Sequence, residues 1–111
     1  MQFTPLENEE QLNRISSLKG VSVILKHNTT CSISQGVLSR LRAATIPQVE
    51  QIYVLELPTQ RDLSNLVAGR FGVPHQSPQI LVLKDGRCTY HEWGFDIAAE
   101  ELSRVITGSR V

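Results

Sequence analysis

The stretch His27–Ala44, HNTTCSISQGVLSRLRAA, decides how the chain is read. It follows the apolar run VSVIL at 21–25, so a strand ends, a polar break turns the chain, and a helical period begins at a cysteine. Ile33, Val37, Leu41 and Ala44 share one face of that helix, with Leu38 widening it. Thr29 or Thr30 is positioned to cap it, because either hydroxyl reaches an amide two or three residues on. Cys31 therefore belongs to the opening turn. The amides there lack intrahelical partners and the helix terminus carries partial positive charge, which favours a thiolate. That placement points to thiol chemistry.

Outward from this stretch, the 111 residues are enough for one domain, 1–111, without disulfide staples. Lys plus Arg and Asp plus Glu number 11 each and are interspersed, so nucleic acid is not expected as a partner. No apolar run approaches the ~18 residues of a membrane span, and MQFTPLENEEQ is acidic where a signal peptide is basic. A cytoplasmic chain that does not engage a membrane is expected. With only Cys31 and Cys88 present, a secreted disulfide scaffold is improbable.

Upstream, Glu9–Leu18 reads as a helix with Asn8 as its cap and Gln11 completing a capping box. Val21–Lys26 is then a strand suited to burial on both faces. Downstream, Gln51–Glu56 reads as the next strand, and Pro58 closes it. Thr59 is the expected cap of a third helix, with Asp62 as box partner and Gly72 as terminator. Ile80–Leu83 and Cys88–Trp93 flank an Asp85–Gly86 hairpin turn, and Asp96 is the expected cap of a last helix. A hairpin added to strand–helix–strand units requires a mixed sheet. The expected fold is α/β, with four central strands and four helices.

A cysteine opening the helix after the first strand and a proline before the hairpin resemble the thioredoxin fold. KHNTTCSIS at 26–34 and RFGVPHQSPQILVLKDG at 70–86 together resemble the monothiol bacilliredoxin family, the bacillithiol-system proteins of the YtxJ type. Cys31 matches the family's reactive cysteine. Ile33 and Ser34 match the end of its motif, and Lys26–His27 match its lead-in. Ser32 departs from the proline common there, and Cys88 is outside the motif. The resemblance implies reduction of mixed disulfides between client proteins and a low-molecular-weight thiol such as bacillithiol. It also implies a cis bond at Ser77–Pro78 beside the nucleophile, whereas Pro74 reads as a trans breaker. Cys31, Ser34 and Pro78 are then the expected catalytic positions, and Thr30, Ser32, Ser77, His27 and His75 the substrate-facing ones.

The residues also argue for themselves. Cys31-Ser32-Ile33-Ser34 has serine where a dithiol enzyme carries its resolving thiol, so Ser34 can donate a hydrogen bond to Cys31 but cannot form a disulfide. A lone nucleophile retains the small thiol until a second thiol releases it. His27 either lowers the thiol pKa or caps the strand end, and His75 either approaches the same rim or is a loop residue. His91 reads as an exposed strand residue. Cys88 is a buried strand residue, a surface thiol, or a resolving partner within disulfide reach. Lys26 reads first as a solvated strand end, with long-range support of a thiolate as the rival. Arg61 and Arg70 either anchor carboxylates of a small thiol or form surface ion pairs. The histidines and cysteines lack zinc-site spacing, and the expected cycle uses no metal, flavin or nucleotide. Two other functions stay open, a non-catalytic binding module and a thiol sensor.

Overall fold

The computed structural model describes residues 1–108, so 109–111 of the expected 1–111 domain lie outside the described residues. The elements are β1 (Gln2–Pro5), α1 (Glu9–Ser17), β2 (Val21–Asn28), α2 (Ser32–Ala43), β3 (Gln51–Leu57), α3 (Arg61–Phe71), β4 (Gln79–Lys84), β5 (Arg87–Trp93), a 3₁₀ turn at Gly94–Asp96, and α4 (Ala99–Gly108). The sheet order is β1-β3-β2-β4-β5. β1 and β2 each run parallel to β3, while β4 runs antiparallel to both β2 and β5.

β2 is central because both of its faces are apolar. Val23 and Leu25 point into a core with Val37 and Leu41 of α2 and Leu102 and Ile106 of α4. Ile24 points the other way, into a core with Leu12 and Ile15 of α1 and Leu63 and Val67 of α3. Period-two alternation thus feeds two helical layers from one strand. Fully burying a side chain such as Leu25 or Ile24 contributes about 1.5–3 kcal/mol.

The sheet has five strands rather than the expected four. The extra strand, β1, is a short edge element with no alternation of its own, and it exists because the free edge of β3 accepts it in the register Gln2↔Gln51 to Pro5↔Val54. Asn8 does cap α1, its Oδ1 accepting from Gln11 N at 2.9 Å, but Gln11 Oε1 reaches back to Glu7 N rather than to the cap residue.

The other expected caps shift. Neither threonine caps α2: Thr30 Oγ1 donates to Asn28 Oδ1 at 2.8 Å, Thr29 Oγ1 donates to Leu57 O at 3.2 Å, and Cys31 itself is the N-cap residue. α3 begins after Gln60, and Thr59 Oγ1 donates to Glu56 O. Asp96 ends the 3₁₀ turn, with α4 starting three residues later. For the threonines a nearby strand-end or turn acceptor competes with the helix amides. Gly72 takes φ 66 at the end of α3, and Asp85 and Gly86 take φ 52 and 80, as a primed hairpin turn requires.

Candidate active site

The carboxyl ends of β2 and β3 and the amino end of β4 meet at one edge of the sheet, and the chain between them builds the site. Asn28 closes β2 and organises the turn, its Oδ1 accepting from both Thr30 N at 3.0 Å and Thr30 Oγ1. Thr29 N donates to Leu57 O at 3.1 Å, tying the turn to the end of β3. Gln35 Nε2 returns from α2 to Thr29 O at 2.9 Å. These bonds deliver Cys31, half-buried, to the N-cap of α2. Its thiol makes no capping hydrogen bond, so the first-turn amides of α2 have no side-chain acceptor at the cap.

Ser34 does not bond to Cys31 as expected. It is buried, and its Oγ accepts from Asn28 N at 2.9 Å and lies 2.8 Å from His27 Nδ1. The fourth residue of the motif points back under the strand because its helix face is the buried one. Its contact thereby fastens α2 to β2, on which the placement of Cys31 depends. His27 shares that buried face rather than the rim. Burial lowers its pKa, outweighing the opposing pull of Glu56, its cross-strand neighbour, and so disfavours the cationic ring that would partner a thiolate.

On the neighbouring strand, Lys26 pairs with Gln79 at the start of β4, immediately after Ser77–Pro78. Ser77–Pro78 is cis, Pro74 is trans, and Leu57–Pro58 is a second cis bond for which the sequence carried no expectation. Pro78 is buried, and its carbonyl accepts from Gly94 N at 3.0 Å. Beside it Trp93 and Phe95 are 53 % and 72 % exposed. Arg40 of α2 donates to Phe95 O and Ile97 O at 3.5 and 3.3 Å, closing the turn onto the helix that starts at Cys31. Ser32 and Thr30 are exposed around the thiol, and Ser77 is half-buried.

Three further residues fall differently from expectation. Lys26 is 0 % exposed, not a solvated strand end, and burial lowers its pKa to about 8. Its ammonium donates to Ser64 O at 3.1 Å. His75 is exposed in the loop before β4, its Nδ1 3.3 Å from Ser64 Oγ, and its pKa is lowered by burial and then by Lys26 and Arg61. Arg70 is committed to α1, donating to Asn13 Oδ1 at 2.7 Å and lying 3.8 Å from Glu9, so it is a surface residue of the helical layer. His91 is exposed.

Cys88 stands at the opposite end of the sheet. It pairs with Leu83, which pairs with Ser22. From Ser22 to Lys26 is about 13 Å of strand, and Cys31 lies farther on, well beyond the Cα separation of roughly 7 Å that a disulfide spans. Cys88 is therefore excluded as a direct resolving thiol. Its Sγ–H donates to Tyr90 O at 3.4 Å, and burial raises its pKa.

Sequence reasoning named Lys26 but read it first as a solvated strand end, and it missed Gln79 and the exposed Trp93 and Phe95. The signal for Lys26 was present, since extending the two-faced burial of VSVIL by one residue puts it inside. No group of three or more metal-ligating side chains forms among the described residues, and none of their helices is long and apolar enough to cross a membrane.

Comparison with known proteins agrees with this geometry. The family model described as monothiol bacilliredoxin BrxC matches residues 4–102. Among solved structures, a proposed oxidoreductase with a thioredoxin fold superposes with a TM-score of 0.79 at 24 % identity, over 92 % of this chain and 91 % of that one. Thioredoxin from Trypanosoma brucei brucei gives 0.76 at 14 % identity, over 98 % and 91 %. Thioredoxin from Malassezia sympodialis gives 0.74 at 16 %, over 100 % and 96 %. At these identities the structural likenesses establish the thioredoxin fold.

Proposed function

Because the chain belongs to the monothiol bacilliredoxin family, we propose that it reduces mixed disulfides between client proteins and a low-molecular-weight thiol, bacillithiol or an equivalent, through Cys31. The observation that carries this is the position of Cys31, half-exposed at the N-cap of α2, with a buried serine in place of a second thiol.

The thiolate of Cys31 attacks the small-thiol sulfur of the mixed disulfide. That S–S bond breaks, the client leaves as a thiolate and takes a proton from water, and Cys31 now carries the small thiol. A second small-thiol molecule, as thiolate, attacks the retained sulfur and leaves as the symmetric disulfide, returning Cys31 as thiolate. Each turnover exchanges one S–S bond for another and consumes one free small thiol, whose sulfur is oxidised as the client sulfur is reduced, so the cycle needs no bound cofactor. Helix-terminal amides stabilise the anion at both ends of the cycle. Ser34 and His27 act from beneath by holding α2 on β2. Ser77 and Pro78 face the extended client, with Thr30, Ser32 and His75 around the rim. Trp93 and Phe95 give apolar client side chains a ledge beside Pro78. A working thiol of this kind fits a reducing compartment such as the cytoplasm.

The test is thiol release from an S-bacillithiolated protein, with an S-glutathionylated one alongside, combined with the pH dependence of Cys31 alkylation. Release that disappears in Cys31→Ser, with Cys31 of the wild type open to alkylation, supports the proposal. Equal release by Cys31→Ser, or a Cys31 protected from reagent, refutes it in favour of a binding module. Rapid alkylation without turnover refutes it in favour of a sensor.

A further inference from the structure

Lys26 heads the fully buried side chains by volume, and it has no ion pair among the described residues. An apolar side chain of similar length would fill the same space without the desolvation cost of an ammonium. What the ammonium adds is hydrogen bonding. One proton goes to Ser64 O at 3.1 Å, which leaves two for its surroundings.

Those surroundings are the substrate-facing loop. From α3 comes Ser64, from the loop His75, which Arg61 also faces electrostatically, and from β4 Gln79, while the β3 register partner is the apolar Leu55. The Ser64 hydroxyl meets His75 Nδ1 at 3.3 Å, and Gln79 Nε2 donates to Pro74 O at 3.1 Å. Two buried oxygens in this same segment, Ser77 Oγ and Gln79 Oε1, lack any hydrogen-bond partner. A charged donor thus bonds Ser64 directly and lies in strand register with Gln79, the two residues through which the 73–78 loop is tied at His75 and Pro74.

We propose that Lys26 is a positioning residue, its buried ammonium anchoring the 73–78 loop through Ser64 and Gln79 to the strand that delivers Cys31, and so setting where a client lies relative to the thiol. The inference rests on the reductase reading for its consequence, although the anchor itself is a property of the fold. Lys26 does not touch the client. Deprotonation removes the charge that strengthens the Ser64 contact, so the anchor weakens as pH rises through about 8.

The experiment compares wild type with Lys26→Met, a change that keeps length and removes the charge, after urea unfolding has established that the variant is folded. Hydrogen exchange is read at 73–78 and at β3, from pH 6.5 to 9. Loss of one hydrogen bond to a charged group lowers the protection factor at Val73, the loop amide that donates to Ala68 O, by about tenfold or more, with β3 unchanged. The gap between the two proteins closes above pH 8 as wild type loses its own charge. Thiol release then shows a raised KM with little change in kcat, and the midpoint of Cys31 alkylation stays in place. Loop protection equal in the two proteins at every pH overturns the anchor, as does a shifted alkylation midpoint with an unchanged loop, which would make Lys26 an electrostatic partner of the thiol instead. A wild type without turnover refutes the reductase reading, and the exchange comparison still decides the anchor.

Discussion

The two cysteines lie at opposite ends of one sheet with the same intermediate burial, yet their surroundings differ in kind. Cys31 follows the end of β2, where the ladder stops and a helix begins with no side-chain cap. Cys88 is inside a β-ladder, its thiol donating to Tyr90 O and its ionisation opposed by burial. On the proposed function, the two thiols are told apart by the backbone groups around each sulfur, not by how much of it water reaches. The hairpin end is built for rigidity instead. Gly20 N donates to Asp85 Oδ1 at 2.7 Å, Asp85 N donates to Gly20 O at 2.9 Å, and Gly86 rests against Ser16.

The largest expected effect separates the two cysteines. Cys31→Ser reduces thiol release to the uncatalysed background, whereas Cys88→Ser leaves it intact; a matching loss in both would erase the contrast between the two ends.

Next in size is Gly86→Ala. At φ +80 an added Cβ falls 2.1 Å from Ser16 O, which is backbone and cannot swing away. Together with the left-handed conformation this destabilises the fold by more than about 2 kcal/mol, read as a lower urea midpoint, while the folded fraction keeps its activity. Lost activity in that fraction would mean that the two ends are coupled.

A smaller cost is expected for Ser34→Ala, which leaves Asn28 N without its acceptor and His27 without its partner. Unfolding should show a loss of about 1–3 kcal/mol, as for an unsatisfied buried donor. Unlike Gly86→Ala, this change should also slow Cys31 alkylation, because it loosens the seat of α2. An unchanged alkylation rate would remove Ser34 from the site.

The smallest effect is a slope. Burial lowers the pKa of Lys26 from 10.5 to about 8, so between those values the unfolded chain binds more protons at this residue than the folded one. Stability contributed here therefore rises with pH across that window and is level below and above it. Lys26→Met lacks the slope, so urea midpoints of the two proteins, compared at pH 7.5 and 10, should move in favour of wild type at the higher pH. A constant difference would indicate that the lysine is solvated after all.

The site was only partly legible. Cys31 could be located because a strand, a polar break and a helical period leave little choice about where the helix starts. Ser34 was legible as a position but not as a contact, since whether a first-turn hydroxyl faces the sulfur or the strand depends on which helix face is buried. The caps expected at Thr29, Thr30 and Thr59 failed for a related reason: a hydroxyl has several acceptors in reach, and strand-end and turn oxygens took these three.

What the sequence determined by itself, then, was the order of the long elements, the two-faced burial of β2, the mixed sheet required by a hairpin, and a lone cysteine at a helix start. These follow from periodicity and turn chemistry, which act over a few residues. Only the tertiary structure decided the fifth strand, the burial of Lys26, the turning of Ser34 and His27 away from the thiol, and the separation of Cys31 from Cys88. Each of those depends on an edge, a face or a distance that exists only after strands far apart in the chain have paired.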